Sequence, residues 1–272
     1  MTNAEVLVFT DIMDTELIEK SIVARLAQGL YKESTPVVTG AAIEILGTEK
    51  IVIGNYSGTI SHQTLAGTKQ TVAIDKVPYF SVKIDDVEDY ATAPKNLKTK
   101  VAKDAGMELA LATDKEFVKL TSKAKVTVSG TKADIAGVIE GVATELDIAN
   151  VAEGNRAIVL DPASARMLAT QLGAALQVDR AASEVYGGTV HEYQGVMIFK
   201  SNQVVKTTTV FGCLGFDVTA LNMPKNFADT REITDASFFG VLIQGVLSYG
   251  IDIVETETGK SNRLVNAEID HA

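Results

Sequence analysis

The sequence predicts an α+β fold in which an extended β-hairpin and a long helix precede an alternating α/β region. Residues 47–76 are polar and rich in strand-forming residues, and a helical pattern follows from Pro94 to Leu120. From Ala124 onward, short strand patterns alternate with helical ones. A long β-arm beside a long helix can bury little of its surface within one molecule. The pattern therefore predicts that neighbouring copies of the chain cover the arm.

The composition excludes several classes of protein. The 272 residues can form one large domain or two small ones with a sizeable core. The formal net charge of −10 argues against a dedicated nucleic-acid-binding domain, which would show a basic face. The one cysteine, Cys213, excludes an intramolecular disulfide and fits a reducing compartment.

No targeting or membrane segment is predicted. The N-terminus lacks a basic region followed by an apolar stretch, so we expect no signal peptide. The most apolar segment, residues 238–254, contains Gln244, Ser248 and Asp252 and is marginal in length for a membrane span. It is predicted to be a buried strand or a short helix.

Residues 1–35 are predicted to form an N-terminal arm and a helix. Asp14 is the candidate N-cap. An apolar stripe then recurs every four residues, at Ile18, Ile22, Leu26 and Leu30. The stripe packs either on the core of its own subunit or on a neighbouring subunit, and the sequence leaves both open.

The extended hairpin is predicted from two β-branched strands, at residues 50–56 and 70–75. Residues with turn chemistry lie between them, and a strand or irregular connection at 37–46 precedes them. A further strand is predicted at residues 77–84. The alternative for the hairpin is a mobile flap over an enzyme site, but the segment carries no cluster of catalytic side chains.

A strand-to-helix junction and a long helix follow the hairpin. The junction carries Asp85, Asp86, Glu88 and Asp89, without the spacing of a calcium loop, and is predicted to be solvated. Pro94 suits the first turn of a helix. Apolar residues recur at helical spacing at Leu97, Val101, Ala105, Leu109, Ala112 and Leu120. The helix is expected to be roughly 40 Å long, and Gly106 within it predicts close packing or a bend.

The α/β region is predicted from alternating strand and cap signals. Asp161 and Pro162 are a candidate N-cap and first helical residue, and Thr131 with Asp134 resembles a capping box. Helices are predicted to begin after these caps, with Ile135, Val138, Val142 and Leu146 on the core face of the first and with 163–172 as the second. Residues 173–189 are predicted to be loop. Strands are predicted at 125–129, 156–160, 189–201 with a turn at Gln194-Gly195, 207–214, 238–255 with a break at Tyr249-Gly250, and 263–265.

The sequence contains no recognisable catalytic, metal-binding or cofactor-binding motif. The three histidines, His62, His191 and His271, do not show metal-ligand spacing. His191 and Glu192 are neighbours on a strand and point to opposite faces. The chain has no nucleophile elbow, no local Cys–His signature, no phosphate loop and no dinucleotide-binding turn. We therefore predict no catalytic, cofactor-binding or metal-binding residues, although an enzyme with scattered residues stays open.

The order of elements resembles that of the major capsid protein of tailed bacteriophages, the Hong Kong 97-type fold. The resemblance covers nearly the whole chain, from arm and β-loop through the long helix to the α/β region. The most similar pieces are residues 77–88 leading into the long helix, 156–162 opening a helix, 188–202, and 247–254 as a last peripheral strand. Each piece is loosely similar alone, and their order and spacing carry the resemblance.

The resemblance implies a five-part organisation. Its parts are an N-terminal arm and helix (1–35), an extended β-loop with flanking strands (36–92), a spine helix of a peripheral domain (93–123), an axial domain (124–235) and C-terminal peripheral strands (236–272).

The resemblance also implies a function. It is that of a non-enzymatic shell protein of the virion, which is assembled in the bacterial host cytoplasm as hexamers and pentamers around double-stranded DNA. Implied partners are further copies of the chain, portal protein, and packaged DNA bound without sequence specificity; no membrane and no cofactor are implied. The chain begins at the arm without a long scaffolding segment, so either a separate scaffolding protein exists or the arm and loop suffice.

Three alternatives remain at this point. An encapsulin-like nanocompartment shares the fold but encloses an enzyme cargo. Another phage structural protein, such as a tail-tube protein, would form filaments or stacked rings. An enzyme would show activity as a monomer.

Overall fold

The predicted α+β fold is confirmed by a computed structural model of the chain. The structure describes residues 3–27, 40–48, 53, 62, 67–85, 97–176, 185–186, 189–190, 192–234, 240–254 and 259–271. The α-helices of these residues are α1 (Asn3–Lys20), α2 (Ile22–Leu26), α3 (Leu97–Val118), α4 (Ile135–Ile148) and α5 (Pro162–Leu176).

The strands form one large sheet and several small ones. In chain order they are β1 (Ala42–Thr48), β2 (Gly67–Ala73), β3 (Tyr79–Asp85), β4 (Ala124–Thr131), β5 (Arg156–Leu160), β6 (Val185–Tyr186), β7 (Thr189–Val190), β8 (Glu192–Tyr193), β9 (Val196–Lys200), β10 (Val205–Lys206), β11 (Val210–Asp217), β12 (Leu221–Asn222), β13 (Lys225–Thr234), β14 (Gly240–Tyr249), β15 (Asp252–Ile253) and β16 (Ser261–Asp270).

The large sheet has the order β4-β16-β11-β5-β9-β8, with β10 paired to β11. Strand β16 is parallel to β4 and antiparallel to β11, and β5 is parallel to β9. Every residue of β5 is buried, as expected for a strand that is covered on both faces.

Helix α4 packs on one face of the large sheet. Its predicted core positions, Ile135, Val138, Val142 and Leu146, are buried. The helix lies close to the sheet because Gly215 of β11 faces Val142, and a Cβ at Gly215 would come within 2.5 Å of the Val142 side chain. The capping box predicted from Thr131 is wrong, because the Thr131 side chain makes no cap hydrogen bond. The N-cap is Asp134 itself, whose carboxylate accepts a hydrogen bond from the N–H of Gly137 at 3.3 Å.

A second core lies between helices α1 and α3 and a sheet with the order β13-β14-β3. Its buried members are Phe9, Met13, Ile84, Ala102 and Ile243. This sheet confirms the predicted strand at 77–84, which is β3. It also confirms the apolar strand predicted before the break at Tyr249-Gly250, since β14 ends at Tyr249.

The long helix is present where the sequence places it. Helix α3 runs from Leu97 to Val118 and continues as a 3-10 helix to Lys123, whereas Pro94 lies outside the described residues. The close packing predicted at Gly106 is confirmed. A Cβ there would lie 2.8 Å from the backbone oxygen of Met13 and 2.9 Å from the Cβ of Glu16, so α1 and α3 touch at this point.

The N-cap predicted at Asp14 is wrong. Helix α1 begins at Asn3, and Asp14 lies inside it, where its carboxylate pairs with the Lys225 ammonium. The helix break falls later, at Ser21, whose side chain accepts a hydrogen bond from the N–H of Ala24 and caps α2. The predicted stripe is divided by this break: Ile22 is buried, whereas Ile18 is exposed.

The predicted hairpin exists with a different first strand. Strand β2 pairs with β1, which precedes the predicted strand at 50–56. The register is fixed by burial, because Ile43 of β1 lies opposite Val72 of β2 and both side chains are buried. Of residues 50–56 the structure describes only Ile53, which belongs to no strand.

The tail differs most from its prediction. The strand predicted at 263–265 is the ten-residue β16, and it lies inside the large sheet. The described residues of 236–272 are thus divided between three sheets, because β14 pairs with β3 and β13, β15 pairs with β12, and β16 pairs with β4 and β11. The predicted division of the chain into five parts stays a prediction. The acidic residues 86–89 and His191 lie outside the described residues.

Replacing Gly106 by Ala tests the contact between α1 and α3. Alanine favours a helix, but its Cβ meets the Met13 backbone at 2.8 Å. We expect the free energy of unfolding to fall by about 1–3 kcal/mol, measured by denaturant titration. The control is Gly154→Ala, where nothing lies within 4 Å of the added Cβ; it should change stability by less than about 0.5 kcal/mol. Equal effects of both substitutions would contradict the close contact.

The carboxylate of Asp114 joins α3 to the start of α2. It accepts hydrogen bonds from the Ser21 hydroxyl at 2.7 Å and from the Ile22 N–H at 3.1 Å. Burial raises the pKa of Asp114 above its ordinary value of 3.8, although these donors oppose the shift. The folded chain therefore keeps this proton at pH values where the unfolded chain has lost it. The free energy of unfolding contributed by Asp114 falls as the pH rises from 3.8 through the folded pKa.

Asp114→Asn should remove this pH dependence. We expect the variant to gain stability relative to wild type as the pH rises from about 4 to about 7, measured by chemical denaturation at each pH. Glu108→Gln, on the exposed face of the same helix, should show no such gain. A stability difference between Asp114→Asn and wild type that stays constant with pH would contradict the assignment.

Candidate assembly surface

The β1–β2 hairpin is attached to the body of the subunit at its base. Lys76, just after β2, forms a bridge with Tyr249: the Lys76 N–H donates to the Tyr249 carbonyl at 3.2 Å, and the Tyr249 N–H donates to the Lys76 carbonyl at 3.0 Å. Within β2, the Gln70 side-chain amide donates to the Ile253 carbonyl at 2.8 Å. The base of the hairpin therefore has a fixed position on the chain segment 249–253.

The backbone at Gly250 touches the hairpin directly. A Cβ at Gly250 would lie 2.4 Å from the carbonyl oxygen of Ala73 and 3.0 Å from the Val72 side chain. Only glycine allows this approach without a shift of the backbone. The break predicted at Tyr249-Gly250 is therefore the place where the backbone contacts β2.

Charged side chains connect the hairpin base with the C-terminal end of α3. The Lys76 ammonium lies 3.1 Å from Asp75 and 3.7 Å from Glu116 of α3. Its hydrogen bond to Asp75 raises the pKa of Lys76. The buried Tyr249 ring lies beside this group, and burial raises the pKa of its phenol. Because Lys76 and Glu116 are partly exposed, the ion pairs orient the hairpin more than they stabilise the fold.

Within the described residues, strands β1 and β2 form a two-stranded sheet that no further strand joins. Ile53, between the two strands, is 93% exposed, and Tyr79, at the start of β3, is 77% exposed. A two-stranded ribbon is marginally stable alone, and open strand edges associate with other chains. The arrangement suits contact with another molecule.

The sequence did not predict a buried cluster that surrounds His271. The Ser164 hydroxyl lies 2.9 Å from the ring nitrogen Nε2 of His271, and a carboxylate oxygen of Asp161 lies 3.4 Å from the same nitrogen. A catalytic triad needs its serine and its carboxylate on opposite ring nitrogens. Ser164 is also fully buried, so the cluster holds β16 to the start of α5. No sequence signal could identify it, because His271 is 107 residues from Ser164.

The remaining candidate groups do not assemble into a chemical site. His62 is exposed. Burial raises the pKa of the Cys213 thiol to about 12, which suppresses its reactive thiolate. Within the described ranges, no three His, Cys, Asp or Glu residues are grouped to hold a metal ion. The same ranges contain no helix with the length and apolar character of a membrane span.

Comparison with solved structures identifies the fold. The chain is similar to a structure from Mycobacterium phage Che8, with 19% sequence identity and a TM-score of 0.70 over 91% of this chain and 90% of that one. It is similar to the capsid of Ralstonia phage GP4, with 14% identity and a TM-score of 0.68 over 91% and 87% of the two chains. A virus-like particle from Pyrococcus furiosus matches with 9% identity and a TM-score of 0.59 over 94% and 96%.

Neither a protein-family model nor a curated protein matches the sequence. At these identities the structural likeness shows the fold, and it extends over about nine-tenths of the chain. The chain therefore has the fold of tailed-phage capsid proteins, as the resemblance implies.

Gly250→Ala tests how the hairpin is held. The added methyl group meets the Ala73 carbonyl at 2.4 Å, so we expect the base of the hairpin to shift and its hydrogen bonds to Tyr249 to weaken. Amide hydrogen exchange at Lys76 and Tyr249 should become faster, by about tenfold or more if about 1.4 kcal/mol is lost. The control is Gly212→Ala, in which the nearest atom lies 3.6 Å from the added Cβ, so exchange at the two amides should stay as in wild type. Unchanged exchange at both amides in Gly250→Ala would show that Gly250 does not set the hairpin position.

Proposed function

We propose that the chain is the major capsid protein of a tailed phage. In this proposal it assembles into hexamers and pentamers, which close as an icosahedral head around double-stranded DNA. The observation that carries the proposal is a two-stranded β-ribbon that is tied to its own subunit at the base, that no further described strand joins, and that leads to the 93% exposed Ile53. The capsid fold supports it independently.

The mechanism is physical assembly. Each ribbon would lie across the next subunit, and this head-to-tail contact closes into rings when its rotation is a fraction of a full turn. The neighbour then satisfies the open strand edges, which would otherwise promote aggregation. Because Gly250 and Tyr249 hold the base of the ribbon, little conformational entropy is lost there on assembly.

The domain roles follow from the same proposal. Helix α3, at residues 97–118, would be the spine of a peripheral domain, and the large sheet with α4 and α5 would form most of the axial domain. No catalytic, cofactor-binding or metal-binding residue is required. A catalytic role is therefore not part of the proposal.

Partners and location are proposed with the function. The protein would bind further copies of itself, a portal protein and a scaffolding protein, and would be assembled in the bacterial host cytoplasm into virions. With a net charge of −10, the subunit would enclose DNA without sequence-specific binding, and packaging would depend on a motor instead of wall affinity. No membrane takes part.

The second candidate is an encapsulin-like compartment that encloses protein. It is favoured by the similarity to the virus-like particle from Pyrococcus furiosus, whose TM-score of 0.59 is below the 0.70 and 0.68 of the two phage structures. The contents of particles from the native source separate the two, because a phage head holds DNA and a compartment holds a protein cargo.

Replacing residues 49–66 with Asn-Gly tests the role of the segment that joins the two strands of the ribbon. Thr48 and Gly67 are paired, so a two-residue turn can join β1 to β2 without changing their register. We expect the variant to fold with a circular dichroism spectrum and unfolding midpoint like those of wild type. Negative-stain electron microscopy should show closed shells for wild type and none for the variant.

The control is a chain in which residues 49–66 are replaced by a Gly/Ser linker of equal length. It keeps the reach of the segment but removes its side chains, and we expect it to assemble poorly. Closed shells from the Asn-Gly variant would refute a role for residues 49–66 in assembly. A wild-type protein that stays monomeric at high concentration would refute the proposed function itself.

A further inference from the structure

Helix α3 exposes a continuous stripe along the side that faces away from the core. Its members are Lys100, Asp104, Met107, Glu108, Leu111 and Lys115, all exposed. At 100° per residue they fall within an arc of about 100°, so they form one face of the helix. The opposite face, with Ala102, Gly106, Leu109, Thr113 and Phe117, is buried. We call the exposed face the α3 stripe.

The centre of the α3 stripe is apolar. Met107 is 41% exposed and Leu111 is 42% exposed, and they are one helical turn apart. Two large apolar side chains held together on a helix surface, with charged residues on either side, are typical of a contact site.

We propose that the α3 stripe binds the α3 stripe of a second copy, with the two helices antiparallel about a two-fold axis. The inference rests on the proposed self-assembly and adds a contact between copies that is separate from the ribbon. In this arrangement Met107 packs on Leu111 of the partner subunit, and the two-fold axis repeats the contact with the roles exchanged.

The charges select this arrangement. When Met107 lies against the partner's Leu111, Asp104 lies beside the partner's Lys115, and the axis supplies the same pair again. A parallel arrangement would place Asp104 against the partner's Asp104 and Lys115 against the partner's Lys115, which repel. The two Asp104–Lys115 pairs thus favour the antiparallel direction, and Glu108, near the partner's Glu108 across the axis, is the one like-charge neighbour in it.

The charged residues of the stripe are free for such pairing. Neither Asp104 nor Lys115 has an ion pair with another described residue, whereas neighbouring lysines do: Lys103 pairs with Glu16, and Lys119 pairs with Glu116. The lysines that point toward α1 or the hairpin base are therefore paired within the subunit. Asp104 and Lys115, the charged residues at the two ends of the apolar centre, have no ion pair with another described residue.

The contact is too small to hold two copies together alone, since stable interfaces bury more than about 1,000 Å². It acts in a shell, where many equivalent contacts add. Its effect is therefore measured as the critical concentration for shell formation.

The test is a charge exchange in the full chain. We expect Asp104→Lys and Lys115→Asp each to raise the critical concentration by about threefold or more, because each change turns two attractive pairs per contact into repulsive ones. The double variant Asp104→Lys/Lys115→Asp restores both pairs and should return to within about twofold of wild type. Both residues are exposed, so the unfolding midpoints of the subunits should not change.

Cross-linking gives an independent readout of direction. Met107→Cys and Leu111→Cys chains carrying different tags are assembled together and oxidised. The one native cysteine, Cys213, is buried and does not interfere. We expect more disulfide between the two kinds of chain than within either kind, because position 107 faces position 111 of the partner subunit.

The outcomes separate this inference from the proposed function. Wild-type shells with single variants that assemble like wild type, or with a double variant as impaired as the single ones, overturn the antiparallel contact and leave the shell proposal standing. A cross-link formed mainly between two Met107→Cys chains also overturns it. A wild-type chain that forms no closed shells refutes the proposed function instead.

Discussion

The backbone of Gly250 lies so close to the Ala73 carbonyl that no side chain fits between them, and this contact sets the position at which the β1–β2 ribbon leaves the subunit. The Lys76–Tyr249 bridge and the Gln70–Ile253 hydrogen bond reinforce it. An arm held this way meets a neighbour in one geometry instead of searching for it, so less entropy is lost when copies associate. The proposed assembly therefore needs a stiff base as much as an adhesive outer part.

The sequence predicted the features that neighbouring residues encode. Asp161 and Pro162 open α5 as expected, with the carboxylate accepting the Ala163 N–H at 2.9 Å. The turn at Gln194-Gly195 has φ angles of 51° and 70°, which suits a tight hairpin between β8 and β9. Gly106 marked the close approach of α1. For the cap and the turn, the residues that give the signal lie within a few positions of the structure they form. For Gly106, the close approach needs only the absence of a side chain.

Features that depend on distant pairing could not be predicted. The pattern of residues 50–56 is as strand-like as that of β1, and only burial of Ile43 against Val72 selects β1 as the partner of β2. The same holds for the candidate surface. Its hairpin was predicted, although with a different first strand, whereas its anchors, such as the Gln70–Ile253 bond across 183 residues, have no local signal.

The position of β16 between β4 and β11 has a consequence for the synthesis of the protein. Strand β4 is complete at Thr131, but the strand that pairs with it begins at Ser261. At typical rates of about 5–20 residues per second, a ribosome takes on the order of ten seconds to make the intervening residues. During that time the nascent subunit lacks the middle of its largest sheet, and it cannot yet offer a finished surface to an emerging lattice. In the proposed assembly, an unfinished chain would therefore not join a particle before its last strand is made.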